Sequence, residues 1–235
     1  MQPLSPIPIP RSRIPPLKIA VLASGRGSNL QALIDARRDG QLPIEVVLVA
    51  GDKAQALALR RAETAGIPTL ALDPRGYASR AAYDADLFAR IAASGAELVV
   101  LAGFMRILDA SVLLPWSGRI INIHPSLLPK YAGLHTHRRA LAAGDAEHGS
   151  SVHFVTAELD GGPVLAQARI AVLPGDTPET LADRLLAHEH RLLVATVAAI
   201  AARRITLGSE GVLHDGVALE APLQLRDGQL CAATA

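Results

Sequence analysis

Aromatic side chains are scarce in this chain: its 235 residues include one Trp, three Tyr and three Phe, 3% in all. The formal net charge is only +1. The chain therefore offers neither a platform on which bases could stack nor a basic stripe that would follow phosphates, and no nucleic-acid partner is expected. Cysteine is rarer still. The lone Cys231, near the C-terminus, excludes an internal disulfide framework or a thiolate metal cluster and suits a reducing cytoplasm. No stretch reaches the roughly 18 uninterrupted apolar residues that a spanning helix needs. The apolar segment 192–202 is too short, so no membrane association is expected. Internal repeats and blocks of like charge are also missing.

Half of the residues are hydrophobic, enough for a full core in one domain. Residues 1–16 hold six prolines and no apolar run long enough for a secretory signal, and are read as a disordered leader. Residues 17–208 are expected to form the folded domain, and 209–235 a C-terminal hairpin and tail.

Residues 17–23 form a short β-branched apolar run, followed by Ser24-Gly25-Arg26-Gly27-Ser28-Asn29 and a helical pattern over 30–38 that Gly40 closes. Strands are predicted over 44–50, 70–72, 98–102 and 119–124, with helices over 53–65 and 79–93. Continuous apolar strands alternating with helices imply an α/β fold: an open, mostly parallel, Rossmann-like sheet with helices on both faces. Further strands are predicted over 151–157 and 164–172, joined tightly through Leu159-Asp160-Gly161-Gly162-Pro163. A long helix follows over 177–202, with Thr177 as its cap and Pro178 in its first turn. A small hairpin with Asp215-Gly216 as its turn is expected within 205–225.

Asn122 and His124 alternate with Ile121 and Ile123, so the amide and the imidazole leave the strand on one face. Pro125 cannot donate to a ladder and stops the strand at His124, at a carboxyl end, where open α/β sheets bind ligands. Gly27, Ser28 and Asn29 lie in a turn that opens a helix, where free N–H groups and the helix dipole favour an anion. A phosphate monoester, a dinucleotide and an unoccupied tight turn all remain open, although the third glycine of the dinucleotide fingerprint is missing and Asp52 only partly imitates its ribose acid. Asp160 sits in a flexible turn, and beside His124 its carboxylate would raise the imidazole pKa. A charged His next to an Asn can polarise a carbonyl and stabilise an oxyanion. No Ser or Cys is placed as a covalent nucleophile, so the nucleophile would belong to a substrate.

Four segments taken together resemble the phosphoribosylglycinamide formyltransferase family, folate-dependent enzymes of purine biosynthesis. They are the run from Gly25 to Ile34, Leu101-Ala102-Gly103-Phe104-Met105-Arg106-Ile107-Leu108, the run from Asn122 to Tyr131, and Leu159-Asp160-Gly161-Gly162-Pro163. The match in order and spacing covers 18–203, with Arg26 its one visible departure. The resemblance implies a catalytic trio of Asn122, His124 and Asp160, and a substrate phosphate held by Gly27, Ser28 and Asn29. It implies that Glu189 contacts the glycinamide end of that substrate. It further implies that Arg80, Met105, Arg106, Ile107 and Leu108 meet the co-substrate 10-formyltetrahydrofolate, with Thr156, Ala157, Glu158 and Leu159 covering its pteridine. No metal is implied, and a homodimer is left open. Lys130, His135 and His137 are further polar residues close by in sequence.

Two other formyl-folate enzymes, methionyl-tRNA formyltransferase and formyltetrahydrofolate deformylase, share such a trio. The first is expected to need an extra C-terminal domain and the second an N-terminal regulatory one, and neither flank of this core is expected to supply it. A silent ligand-binding module and a dinucleotide oxidoreductase are more distant readings.

Overall fold

The computed structural model describes residues 15–209 and 211–233. The proline-rich leader falls almost wholly outside the described residues.

The chain opens with β1 (Leu17–Leu22), α1 (Ser28–Arg38), β2 (Ile44–Gly51), α2 (Leu57–Thr64), β3 (Thr69–Ala71), α3 (Arg80–Ala93) and β4 (Leu98–Leu101). There follow α4 (Ala110–Leu113), β5 (Ile120–His124), α5 (Thr136–Ala142), β6 (Glu147–Phe154), β7 (Val164–Ala171) and α6 (Pro178–Ala201). Five short strands close the chain: β8 (Ile205–Gly208), β9 (Gly211–His214), β10 (Val217–Ala218), β11 (Leu223–Arg226) and β12 (Gln229–Cys231).

Nine strands form one sheet in the order β12-β11-β7-β6-β5-β4-β1-β2-β3. The run from β3 to β5 is parallel, whereas β6 is antiparallel to both β5 and β7. Helices cover both faces, which explains why β1 reads as an unbroken apolar run. Ile19 and Val21 join a core with Leu30, Leu33, Leu59, Leu192 and Val197 from α1, α2 and α6. Their neighbours Ala20 and Leu22 join the opposite core with Tyr83, Leu87, Ile91 and Val112 from α3 and α4. Each fully buried Leu, Ile or Val contributes about 1.5–3 kcal/mol of transfer free energy, so neither layer is dispensable.

Helix α6 starts where predicted. The Thr177 hydroxyl accepts from the Thr180 N–H at 3.2 Å and the Thr180 hydroxyl accepts from the Thr177 N–H at 2.9 Å, a reciprocal cap. Helix α2 starts four residues later than predicted, because residues 53–56 close a turn through Ala56 N–H to Lys53 C=O at 3.0 Å instead. Strand β6 begins at Glu147 and ends at Phe154, so its link to β7 is the loop 155–163 rather than a tight turn. The C-terminal segment forms two units. β8, β9 and β10 make a small antiparallel sheet with Asp215-Gly216 as one turn. β11 and β12 extend the main sheet, β11 running parallel to β7. Among the described residues no helix is long and apolar enough to cross a membrane.

Candidate active site

Strand β5 places its side chains as the period of two requires. Ile121 and Ile123 enter the core under α6, while Asn122 and His124 share the other face. Antiparallel pairing then sets His153 of β6 directly opposite Asn122. The loop 155–163 leaves the end of β6 that adjoins the start of β5 and doubles back over this face. Asp160 adopts a left-handed backbone with φ 51°. Gly162 permits the close approach, since a Cβ there would lie 1.9 Å from the Phe154 carbonyl oxygen. Asp160 Oδ1 accepts from Asn122 Nδ2 at 3.4 Å, and Oδ2 lies 3.5 Å from His124 Nδ1. Oδ2 also accepts from the Gly133 N–H at 2.8 Å, tying in the loop after β5. The three residues predicted as a trio are thus assembled from one strand and one returning loop.

The predicted charge on His124 needs correction. Its ring is 7% exposed, and burial pushes its pKa below the ordinary imidazole value. The Tyr131 carbonyl, 3.0 Å from Nε2, and the Asp160 carboxylate pull the other way without prevailing. Burial acts to raise the Asp160 carboxyl, but the His153 ring, the Gly133 N–H and the field of His124 outweigh it, and the pKa is lowered. The resting pair is therefore a carboxylate beside a largely neutral imidazole.

Gly27 precedes α1 with φ 70°, and a Cβ there would lie 2.7 Å from both Ala58 Cα and Ala58 Cβ. Only glycine fits that position without moving α2. Ser28 and Asn29 begin the eleven-residue helix, no side chain caps it, and the free N–H groups of its first turn remain available to an anion. Asn29 Nδ2 donates to Glu189 Oε2 on α6 at 3.5 Å. Burial pushes the Glu189 carboxyl up to about 7, with that Asn29 contact opposing it.

The remaining predicted contacts line the next strand end. The Met105 N–H donates to Ser24 Oγ at 2.9 Å, joining the loop after β4 to the turn after β1. Met105 and Ile107 are exposed, whereas Leu108 is buried in the core under α3. The Arg106 guanidinium lies 4.8 Å from the Tyr83 ring centroid. Arg80, first residue of α3, lies 3.7 Å from the Asp109 carboxylate. Thr156, Ala157, Glu158 and Leu159 are exposed along the loop that carries Asp160. Lys130 pairs with Asp145 at 2.9 Å, His137 with His148 at 2.9 Å, and His135 is an exposed residue before α5. Among the described residues none of these three hydrogen-bonds to the trio, although the His137 ring feels the field of His124.

A family model described as formyl transferase matches residues 17–197. The chain belongs to the formyl transferase family. The phosphoribosylglycinamide formyltransferase of Escherichia coli is 47% identical over 200 residues, 85% of this chain and 94% of that protein. The enzyme of the same name from Haemophilus influenzae is 40% identical over 86% of this chain and 95% of its own length. Among solved structures, phosphoribosylglycinamide formyltransferase from Coxiella burnetii superposes with a TM-score of 0.84 at 48% identity, covering 87% of this chain and 96% of that one.

In this formyl transferase the site contains one group that the sequence did not announce. His153 is 2% exposed, its Nε2 lies 3.1 Å from Asn122 Nδ2, and its Nδ1 lies 2.9 Å from the Phe154 carbonyl. It occupies an alternating position in a predicted strand, and only the register of β6 on β5 brings it opposite Asn122. Among the described residues no group of three His, Cys, Asp or Glu side chains is arranged to hold a metal ion.

Proposed function

We propose that this formyl transferase moves the formyl group of 10-formyltetrahydrofolate onto the amine of phosphoribosylglycinamide in purine biosynthesis, as a cytoplasmic enzyme. The observation that carries the reading is the meeting of Asp160 with both Asn122 and His124 at 3.4 and 3.5 Å, in a sheet whose first helix begins with no side-chain cap. Gly27, Ser28 and Asn29 bind the acceptor's phosphate, and Glu189 meets its glycinamide end. Arg80 and residues Met105 to Leu108 hold the folate, with 156–159 over its pteridine. No protein nucleophile is needed. The acceptor's amine attacks the formyl carbon, and the tetrahedral intermediate expels the folate nitrogen.

His124 meets acceptors at both ring nitrogens, the Tyr131 carbonyl and the Asp160 carboxylate. Burial keeps the ring mostly neutral at rest; the imidazolium formed by taking a proton from solvent is stabilised by the Asp160 carboxylate and by the negative charge that builds on the formyl oxygen. The proton that the attacking amine loses passes through a water held by Asp160 to the leaving folate nitrogen, so that Asp160 is an anion before and after the transfer. The deciding experiment follows folate release by absorbance with phosphoribosylglycinamide, formyl-acceptor tRNA or water as acceptor. Turnover with the first alone is expected, and turnover with tRNA or water alone refutes the assignment.

A further inference from the structure

The guanidinium of Arg61, a half-buried residue of α2, reaches across to the turn before α1. Its Nε donates to the Arg26 carbonyl at 2.9 Å and its Nη1 to Gln31 Oε1 at 3.0 Å. About one helical turn earlier, the Ala58 N–H donates to the Gly25 carbonyl at 3.1 Å. Two successive carbonyls of the turn are therefore held against α2. A trans peptide is planar, so its C=O and its N–H point in opposite directions. The bond from Arg61 to the Arg26 carbonyl thus directs the Gly27 N–H away from α2, and the bond from Ala58 to the Gly25 carbonyl does the same for the Arg26 N–H.

The conformation that follows makes the plane of this peptide matter. Gly27 is left-handed, at φ 70° and ψ 32°, and Ser28 begins the right-handed helix. Such a succession gathers the N–H groups of Gly27, Ser28 and Asn29 into one concavity that suits an anion. Turning over the peptide between Arg26 and Gly27 would put a carbonyl where the Gly27 N–H stands, and an anion would meet an acceptor. Glycine is the residue that opposes such a flip least, yet the approach of Ala58 requires glycine here. A neighbour has to hold the plane. We infer that Arg61 is a positioning residue: it fixes the peptide between Arg26 and Gly27 with its N–H toward the anion, and through Gln31 it ties that peptide to the first turn of α1. The inference rests on the proposed reading of this turn as the seat of the acceptor's phosphate. A planar guanidinium offers donors at fixed angles and meets both acceptors at once, which a single ammonium on a flexible stem does less well. Arg60, exposed on the same helix, carries the same charge, but among the described residues its guanidinium makes no hydrogen bond to the turn.

The test compares Arg61→Met, Arg61→Lys and Arg60→Met with wild type, each checked by its melting curve. Inorganic phosphate is titrated while the amide signals of Gly27, Ser28 and Asn29 are followed by NMR, and steady-state kinetics give kcat and both KM values. In Arg61→Met the Kd for phosphate and the acceptor's KM are expected to rise about tenfold or more, on the scale of a lost hydrogen bond from a charged group, while kcat and the folate KM hold. Arg61→Lys should fall between wild type and Arg61→Met, with a rise of about threefold or more, and it decides the matter alone if Arg61→Met does not fold. Arg60→Met should stay within about twofold of wild type, as a screened surface charge does. Wild-type phosphate affinity in a folded Arg61 variant overturns the inference, and so do equal losses in Arg61→Met and Arg60→Met, which would assign the effect to charge at a distance. If phosphate leaves the three amide signals of the wild-type protein unmoved while phosphoribosylglycinamide is turned over, the phosphate reading fails and takes the inference with it. If phosphate moves them but no formyl group is transferred, the proposed function fails and the role of Arg61 in the turn stands.

Discussion

Replacing Asp160 with Asn tests the electrostatic core of the site, because the change keeps shape and removes one charge. The Oδ2 to His124 Nδ1 distance is 3.5 Å and both side chains are about nine-tenths buried. At an effective permittivity near 20, two unit charges at that separation interact by about 5 kcal/mol, before the cost of desolvating them is subtracted. After the Tyr131 carbonyl, that attraction is the next contribution opposing the burial of His124, whose pKa is already below the ordinary imidazole value. Without the carboxylate the ring should resist protonation at any pH at which the enzyme works. The oxyanion then loses a charged donor, a loss of about 2.7–4 kcal/mol, or a hundred- to a thousandfold in kcat. The water that passes on the amine's proton also loses the carboxylate that holds it, which places the expected fall at the upper end of that range. The fold should survive, since the carbonyl oxygen of the introduced amide can still accept from the Gly133 N–H, which lies 2.8 Å from Asp160 Oδ2 in the wild type. The assay is steady-state folate release on a variant whose circular dichroism and melting curve match wild type. A folded Asp160→Asn variant retaining kcat within about fivefold would falsify the electrostatic account, because that factor is only about 1 kcal/mol.

Three further perturbations address separate parts of the molecule. Gly27→Ala forces a Cβ to within 2.7 Å of the Ala58 backbone at φ 70°, so a stability loss of at least about 1–2 kcal/mol is expected; the acceptor's KM should rise while the folate KM holds, and an unchanged acceptor KM refutes the phosphate assignment. Glu189 is held protonated below about 7, so the acceptor's KM should fall as pH passes upward through that value and a carboxylate accepts more strongly from the glycinamide N–H groups; in Glu189→Gln the fall should vanish, and its persistence assigns it to another group. His148 has its pKa pushed down to about 4 by burial, so between pH 6.5 and 4 the unfolded chain binds a proton that the folded chain refuses. Stability should therefore be complete above 6.5 and fall by about 3 kcal/mol on acidification through this window; chemical denaturation of His148→Gln across the same pH range should show a shallower fall.

What could be read from the sequence is what local geometry dictates. That Asn122 and His124 share a face follows from the strand period, and that the strand stops at His124 follows from Pro125. Gly27 before a helical pattern marks a turn whose backbone is open to an anion, and the structure adds the reason, the approach of Ala58. What could not be read depends on long-range pairing. His153 matters because it falls opposite Asn122, which is set by the register of β6 against β5. The lowered pKa of His124 arises from enclosure by the loops that carry Tyr131 and Asp160, and a reading limited to the single Asp160 charge gives the wrong sign. The β11 and β12 strands show a middle case: Asp227-Gly228 is a readable hairpin turn, but nothing local says that β11 adds to β7.

Two carboxyl groups of the candidate site are shifted in opposite directions. Glu189 is half-buried against α1 with one long hydrogen bond from Asn29, too little to offset the hydration its carboxylate would lose, and its pKa rises to about 7. Asp160 is also largely buried, but the His153 ring, the Gly133 N–H and the field of His124 outweigh that burial, and its pKa falls. On the proposed reading Glu189 meets the acceptor's glycinamide end with a carboxyl that is about half protonated near neutral pH. On the same reading Asp160 must still be charged when the amine sheds its proton. Exchanging the two environments would leave the composition of the site unchanged and disable both steps, because the division of labour is set by the donors around each carboxyl group and not by the carboxyl groups themselves.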